Sequence, residues 1–443
     1  MHNRKRATPV RVIGGGLAGS EAAFQLAHKG FEIELYEMRF GGKKTPAHNT
    51  SDLGELVCSN SFKSLDLITP NGLLKKELNV MGSFLLDVAF ETRVPAGGAL
   101  AVDRTEFSRK VTETISSLPG VRVIPEEVTE ISPDIPTIIA SGPLTSSPLA
   151  VNLGKLLGEE NLYFYDAISP IVAADSIDTG RAYMASRYGK GGDDYLNCSL
   201  DRIEYERFYD ALVNAELAQP HDFEEERYFE ACLPVEVIAR RGKDALRFGP
   251  MRPVGLYLPG SAKRPYAVVQ LRQEDRGGTM WNMVGFQTRL KHSEQKKVFR
   301  MIPALEEAEF LRYGSVHRNT FLNTPRVLTE YFQPRKSGWD LILFAGQLTG
   351  VEGYVESIAS GLLAAVNLSS IVDGRKPLLP PETTMTGALL RHIQTTDPDH
   401  FQPMNANFGL LPPVGSGKGR ERRKRQAVRA LENLREWVKE SLI

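Results

Sequence analysis

The stretch Val10–Arg39 constrains this chain more than any other: V-R-V-I-G-G-G-L-A-G-S-E-A-A-F-Q-L-A-H-K-G-F-E-I-E-L-Y-E-M-R. An apolar strand, Val10–Ile13, runs straight into Gly14-x-Gly16-x-x-Gly19. A helix follows, with Ala22, Ala23, Leu26 and Ala27 on one face and Gly30 suited to its C-terminal stop. A second strand, Phe31–Tyr36, ends on Glu37. Each part has a task in holding a dinucleotide. Gly14 permits the tight turn, Gly16 lets the backbone approach a pyrophosphate, and Gly19 lets helix pack on strand. The helix N-terminus offers free N–H groups and a positive dipole end to the phosphates. Glu37 lies roughly 20 residues beyond the glycines, where a carboxylate accepts from a ribose 2′-hydroxyl. It would repel a 2′-phosphate, which favours FAD or NAD over NADP at this site. The expected cofactor contacts here are Gly14, Gly15, Gly16, Leu17, Ala18, Gly19, Glu37, Met38 and Arg39.

A chain of 443 residues suggests two or three domains and can bury a large core. Lys+Arg and Asp+Glu balance at 54 each, so no global field attracts nucleic acid, and any RNA contact must come from local patches. The three cysteines, Cys58, Cys198 and Cys232, are too few and too scattered for a disulfide framework. The start is basic and polar without a signal peptide's apolar core, and no apolar run approaches the roughly 18 residues of a membrane helix. These features predict a soluble cytoplasmic protein.

After Glu37 a polar loop carries Cys58, on the side of the sheet that faces a ligand crevice. Asn71–Val88 reads as one helix, Ala99–Asp103 as a strand, Arg104–Leu118 as an amphipathic helix, and Val121–Ile124 and Thr137–Ala140 as strands. The texture changes near Gly180–Asp194, which is glycine-rich and charged. Cys232 then precedes a basic run, Arg240, Arg241, Lys243, Arg247 and Arg252, set among glycines and prolines that suit an anion-binding loop. Ala267–Arg272 and Met280–Phe286 read as strands and Lys296–Phe310 as a helix. Near the C-terminus, Leu341–Ala345 meets G-Q-L-T-G-V-E-G-Y-V-E-S-I-A-S-G, a second strand–loop–helix unit. Its helix N-terminus can point at a flavin ring or pyrophosphate, and Tyr354 can stack on an aromatic ligand. The expected fold is α/β: a Rossmann-type FAD-binding domain built from both chain ends, residues 1–190 and 330–443, with an inserted α+β domain over 191–329. The helix Glu421–Leu442 begins with a basic cluster that its own dipole opposes. There is no H-E-x-x-H, C-x-x-C or G-x-S-x-G motif, and no metal ligand set is expected.

Several motifs together carry a resemblance. V-I-G-G-G-L-A-G-S-E-A-A, L-Y-E-M-R, T-P-A-H-N-T, E-L-V-C-S-N-S, H-R-N-T-F-L-N-T-P and F-A-G-Q-L-T-G-V-E-G-Y-V-E-S resemble the bacterial folate- and FAD-dependent tRNA (uracil-5-)-methyltransferases over nearly the whole chain. The resemblance implies that NADH or NADPH reduces bound FAD and that 5,10-methylenetetrahydrofolate supplies the carbon. The uridine at position 54 of the tRNA T-loop becomes 5-methyluridine, with the flavin as carrier of methylene and reducing equivalents. Further cofactor contacts fall on Gly346, Gln347, Gly350, Val351 and Tyr354. No membrane and no protein partner is implied.

Uracil C5 becomes nucleophilic only after a thiolate adds at C6, and a base must later take the C5 proton. Cys232, beside cations that lower a thiol pKa, fits the nucleophile, and Cys58 fits the base near the flavin. The sequence leaves the reverse assignment open. Cys198 falls outside the motifs. His317 or His48 would cover the pterin, with His317 favoured. Arg240, Arg241, Lys243 and Arg247 are the candidates for tRNA phosphates. Alternatives are a flavin disulfide oxidoreductase using Cys58 and Cys232, a flavin-bearing RNA-binding protein without chemistry, and the related wobble-uridine enzyme.

Overall fold

The computed structural model describes residues 8–43, 45–159, 162–218, 233–415 and 419–441. Its first sheet is parallel throughout. Val10–Ile13 lies at the centre, flanked by Ile33–Tyr36 and Thr137–Ile139, with Val121–Ile124 and Ile342–Phe344 at the two edges. Strands this apolar must be covered on both faces. Helix Leu17–His28 and helix Tyr354–Val372 supply part of that cover and pack closely on each other. The strand at 342–344 arrives some 200 residues after its sheet neighbour, so both chain ends build one α/β layer.

The second sheet has six strands, antiparallel at every pairing, in the order Ala182–Met184, Tyr195–Leu200, Ala267–Gln273, Met280–Met283, Ile171–Ala173, Phe310–Arg312. It has its own core, which runs from Val172 to Ala308 and includes Tyr205, Phe208, Phe286 and Phe299. The strands at 171–173 and 182–184 lie upstream of the boundary expected at 191, so the second layer begins earlier. A two-stranded ribbon, Leu162–Ala167 with Val316–Phe321, sits where the chain leaves the first layer and where it returns.

Three local expectations need correction. The segment 71–88 is two helices, Pro70–Val80 and Phe84–Glu91, because the chain turns at Gly82 and the Ser83 hydroxyl caps a new helix at Leu86 N. The helix expected over 296–310 runs instead from His292 to Phe299. Beyond it come a 3-10 turn starting at Pro303 and a short strand at 310–312. One helix, Tyr354–Val372, is long and apolar enough to cross a membrane, but 94% of that window is buried inside the protein as core.

A cofactor cleft joined to a thiol pocket

The first strand hands the chain to a cleft of about 980 Å³. Gly14 turns with φ at +99°, and a Cβ there would press on the Ala140 carbonyl oxygen at 2.6 Å. Gly19 packs against the turn itself, where a Cβ would come within 1.8 Å of Gly14 O. Gly16 opens onto empty space and is the N-cap of helix Leu17–His28, with no side chain capping the helix N–H groups. An uncapped helix start lining a cleft is the donor set that a pyrophosphate needs. The residues present therefore fit a dinucleotide such as FAD.

Glu37 is engaged within the protein itself. Its Oε2 accepts from Gly15 N at 2.9 Å and from Arg39 Nη2 at 3.0 Å, while Oε1 accepts from Arg39 N and Nε at 3.0 Å. Arg39 continues to Glu55 at 3.3 Å. This buried chain of charges ties the glycine turn to the loop that carries Cys58. Gly14, Gly16, Leu17, Ala18, Glu37, Met38, Arg39, Gly346, Gln347 and Tyr354 line the cleft. Gly15 and Gly19 lie behind it. So do Gly350, packed on Phe401, and Val351, which pairs with Met404.

A second cavity, about 880 Å³, opens beside the first. Val57, Pro143, Gln347 and Tyr354 line both. Cys58 and His317 line the second, and His48 lines the first. The Cys58 loop is held at successive positions. Arg104 Nη1 donates to Leu56 O at 2.7 Å, and Arg312 Nη2 donates to Val57 O at 3.1 Å. The N–H groups of Cys58 and Ser59 donate to the Tyr354 hydroxyl at 2.9 and 3.1 Å. Asn60 Nδ2 donates to Gln273 O at 3.0 Å, and Asn60 Oδ1 accepts from Arg272 Nε at 2.8 Å. Arg104 also pairs with Glu274 at 3.1 Å. Arg272, Gln273 and Glu274 come from the second sheet, so the loop is clamped between the two layers. Sequence reasoning missed Arg104, Arg272, Glu274 and Arg312. They sit in no motif, and only their burial gives them away.

Electrostatics follow the packing. Burial, then the charges of Arg39, His317 and Arg312, push the His48 imidazole down to about 3, so it stays neutral. Burial, then the neighbouring Cys58, raises the Tyr354 phenol above its ordinary value. Cys198 is buried in the second core, and burial alone pushes its thiol up to about 12. Cys232 lies outside the described residues. Arg240, Arg241 and Lys243 are exposed and line neither cavity. Lys243 pairs with Glu206 at 3.2 Å. The Arg247 guanidinium lies 3.7 Å from the Tyr266 ring centroid and bonds Tyr266 O. Among the described residues no group of three or more His, Cys, Asp and Glu side chains could hold a metal ion.

A dinucleotide cradle that opens into a thiol-bearing pocket defines a flavoprotein of the FAD-binding α/β class. Residues 9–376 match the Glucose inhibited division protein A family. The solved Aquifex aeolicus GidA structures share the fold, with TM-scores of 0.68 at 14 and 15% identity, covering 97 and 98% of this chain and 73 and 78% of theirs. Much nearer in sequence are the methylenetetrahydrofolate--tRNA-(uracil-5-)-methyltransferases TrmFO. That of Moorella thermoacetica is 56% identical over 96% of this chain and 97% of its own length. That of Syntrophomonas wolfei is 55% identical over 91% and 92%. The chain belongs to this methyltransferase family.

Proposed function

We propose that this protein forms 5-methyluridine at position 54 of the tRNA T-loop. Methylenetetrahydrofolate gives the carbon, and NADH or NADPH gives two electrons. The products are 5-methyluridine, tetrahydrofolate and the oxidised nicotinamide. The observation that carries the reading is the continuity of the two cavities, with Cys58 in the second and the phosphate cradle in the first. FAD, when bound, supplies the redox chemistry between nicotinamide and the one-carbon unit.

The chain's own residues do the rest. Gly16 and the first turn of helix Leu17–His28 hold the pyrophosphate, and Glu37 faces the ribose. The Cys232 thiolate adds to uracil C6, which loads electron density onto C5. Once C5 carries the new carbon, Cys58 takes the C5 proton, and expulsion of the Cys232 thiolate restores the aromatic base. The target uridine must leave its stack to reach the pocket, at a cost of a few kcal/mol that pocket contacts offset. Exposed Arg240, Arg241 and Lys243 suit phosphate contacts. The two described cysteines are free thiols, which supports a reducing, cytoplasmic setting.

The test incubates protein, NADPH, labelled methylenetetrahydrofolate and a T-loop RNA. Label at C5 of the uridine is expected, and its loss in both Cys58→Ala and Cys232→Ala supports the assigned pair. NADPH turnover with a disulfide acceptor and no folate requirement would overturn the reading.

A further inference from the structure

Away from both cavities, Tyr188 is held in a way that packing does not explain. Its φ is +59° and its ψ 22°, left-handed backbone that a tyrosine rarely adopts. Two anchors impose it. Tyr188 N donates to Gly255 O at 3.0 Å, and the preceding Arg187 donates from Nε to Gln270 Oε1 at 2.7 Å and from Nη1 to Val254 O at 3.0 Å. A Cβ on Gly255 would lie 3.0 Å from two ring carbons of Tyr188 and 3.1 Å from a third, so one ring face rests on the Gly255 backbone. The residue is nonetheless 60% exposed, so its other face is bare. Asparagine or glycine would hold this turn with less strain. A strained residue that presents an aromatic face to water points to a contact surface. The surroundings are basic. Lys190, Arg252, Lys263 and Arg264 are exposed, and among the described residues none of them forms an ion pair. Against them stand Asp193 and Asp194, and Asp194 Oδ2 is turned inward to Gly97 N at 2.6 Å. Arg187 has Arg252 as its nearest like charge, which adds to burial in lowering its pKa.

We propose that the bare face of Tyr188 stacks on an unpaired RNA base other than the uridine that is modified, with Arg252 and Lys190 on the flanking phosphates. This rests on the RNA-modifying reading above and adds where the rest of the strand is held. A one-sided aromatic platform among cations is the surface that single-stranded RNA takes: the ring accepts the face of any base, and the cations follow the backbone. Tyr188 lines neither cavity, so the base it takes is not the one at the thiols. The turn still adjoins the Cys58 cavity. A Cβ on Gly191 would lie 2.7 Å from Gly97 Cα, so the Tyr188 turn packs on the loop at 97–98. Gly98 O in turn accepts from Leu65 N at 2.8 Å, two residues from Lys63. Lys63 lines the cavity, is exposed and is also left-handed, with φ at +64°. A strand leaving the cavity thus meets Lys63 before it reaches Tyr188.

The experiment measures binding without turnover. The FAD-loaded full chain is titrated with a T-loop hairpin RNA and with a plain duplex of the hairpin's stem, and visible absorbance checks flavin content and folding. Tyr188→Asn, which tolerates the left-handed turn, should weaken the hairpin by about tenfold, the effect of one base stacked on an aromatic ring, and leave the duplex unchanged. Tyr188→Phe and Tyr188→Trp keep the face and should bind the hairpin as the wild type does. In hairpins carrying 2-aminopurine at successive loop positions, one position other than the modified uridine should be quenched on binding, and Tyr188→Asn should restore its emission. Arg252→Gln should reduce the salt slope of hairpin binding by about one. A Tyr188→Asn protein that loses hairpin and duplex alike overturns the inference, as does a loss shared by Tyr188→Phe, since the contact is then not a stacked base. An unaltered salt slope in Arg252→Gln overturns the phosphate contact. A wild type that binds no hairpin overturns the methyltransferase reading as well, whereas wild-type binding with an unaltered Tyr188→Asn overturns this inference alone.

Discussion

The Tyr354 hydroxyl accepts a hydrogen bond from the Cys58 N–H at 2.9 Å, joining positions 296 residues apart in the chain. Tyr354 is the first residue of the helix Tyr354–Val372, which is buried along nearly its whole length, so the loop is tied to a core element of the first layer. Tyr354→Phe keeps the ring and its contact with Phe62 but leaves the Cys58 and Ser59 N–H groups without their acceptor. Each costs about 1–3 kcal/mol if it stays buried, so the loop should shift toward water. Flavin content should hold, while methyl transfer falls by more than about tenfold because the thiol proposed as the base is displaced. Single-turnover transfer of label to RNA, with flavin content as the reference, decides it. Full transfer in Tyr354→Phe would mean that the hydroxyl does not position Cys58.

The two described thiols should differ in reactivity. Cys58 is half-buried on a cavity wall, whereas Cys198 is enclosed among Leu196, Leu200 and Val269 with its thiol pushed up to about 12. The thiolate is the reactive form. Iodoacetamide at neutral pH should label Cys58 in the native protein and leave Cys198 unlabelled, as read by peptide mass. Cys198→Ala should retain methyl transfer and lose stability by about 1–2 kcal/mol through the small cavity it leaves. Labelling of Cys198 at a rate equal to that of Cys58 would contradict its burial.

The cofactor cleft also sets a pH dependence. Burial holds the His48 imidazole at about 3, against an ordinary value of 6.5. Between those values the unfolded chain binds a proton that the folded chain refuses. Stability therefore falls as pH drops through that window and is unaffected by this group above it. His48→Asn keeps a polar atom near Thr45 Oγ1 and removes the titration. The melting temperature of the variant relative to wild type should rise steadily as pH is lowered from 6.5. A difference that stays constant from neutral to acid pH would show that His48 is not held neutral.

How much of this was legible in the sequence depended on whether local chemistry or packing made the feature. The glycine turn, Glu37 and the late strand Ile342–Phe344 were readable, because backbone sterics and hydrophobic runs write themselves into adjacent residues. The placement of Cys58 beside the cleft followed from its position after a parallel strand. Arg104, Arg272, Glu274 and Arg312 were not readable. Their charges look like any surface charge until two layers close over them. Gly350 and Val351 are expected at the cofactor by neighbourhood in the motif, whereas the structure packs Gly350 on Phe401 and pairs Val351 with Met404, outside the lining of the cleft. The break between Val80 and Phe84 was signalled by G-S, but the leucine periodicity masked it.

Helices Leu17–His28 and Tyr354–Val372 cross so closely that a Cβ on Gly361 would lie 2.2 Å from Ala18 O and 2.7 Å from Ala18 Cα. Ala18 lies in the first turn of the helix whose uncapped start lines the cleft, and Tyr354, whose hydroxyl anchors the Cys58 loop, begins the other helix. The crossing thus sets the distance between the two ends of the cofactor cleft. Neither atom that Gly361→Ala would strike is a movable side chain, so the helices must separate. Overpacking of this kind costs about 1–3 kcal/mol. Because the strain falls on the phosphate cradle, FAD affinity should drop by about tenfold or more, as well as the melting temperature. Fluorescence titration of the apoprotein with FAD separates the two effects. Lower stability with unchanged FAD affinity would mean that the cradle forms independently of the crossing.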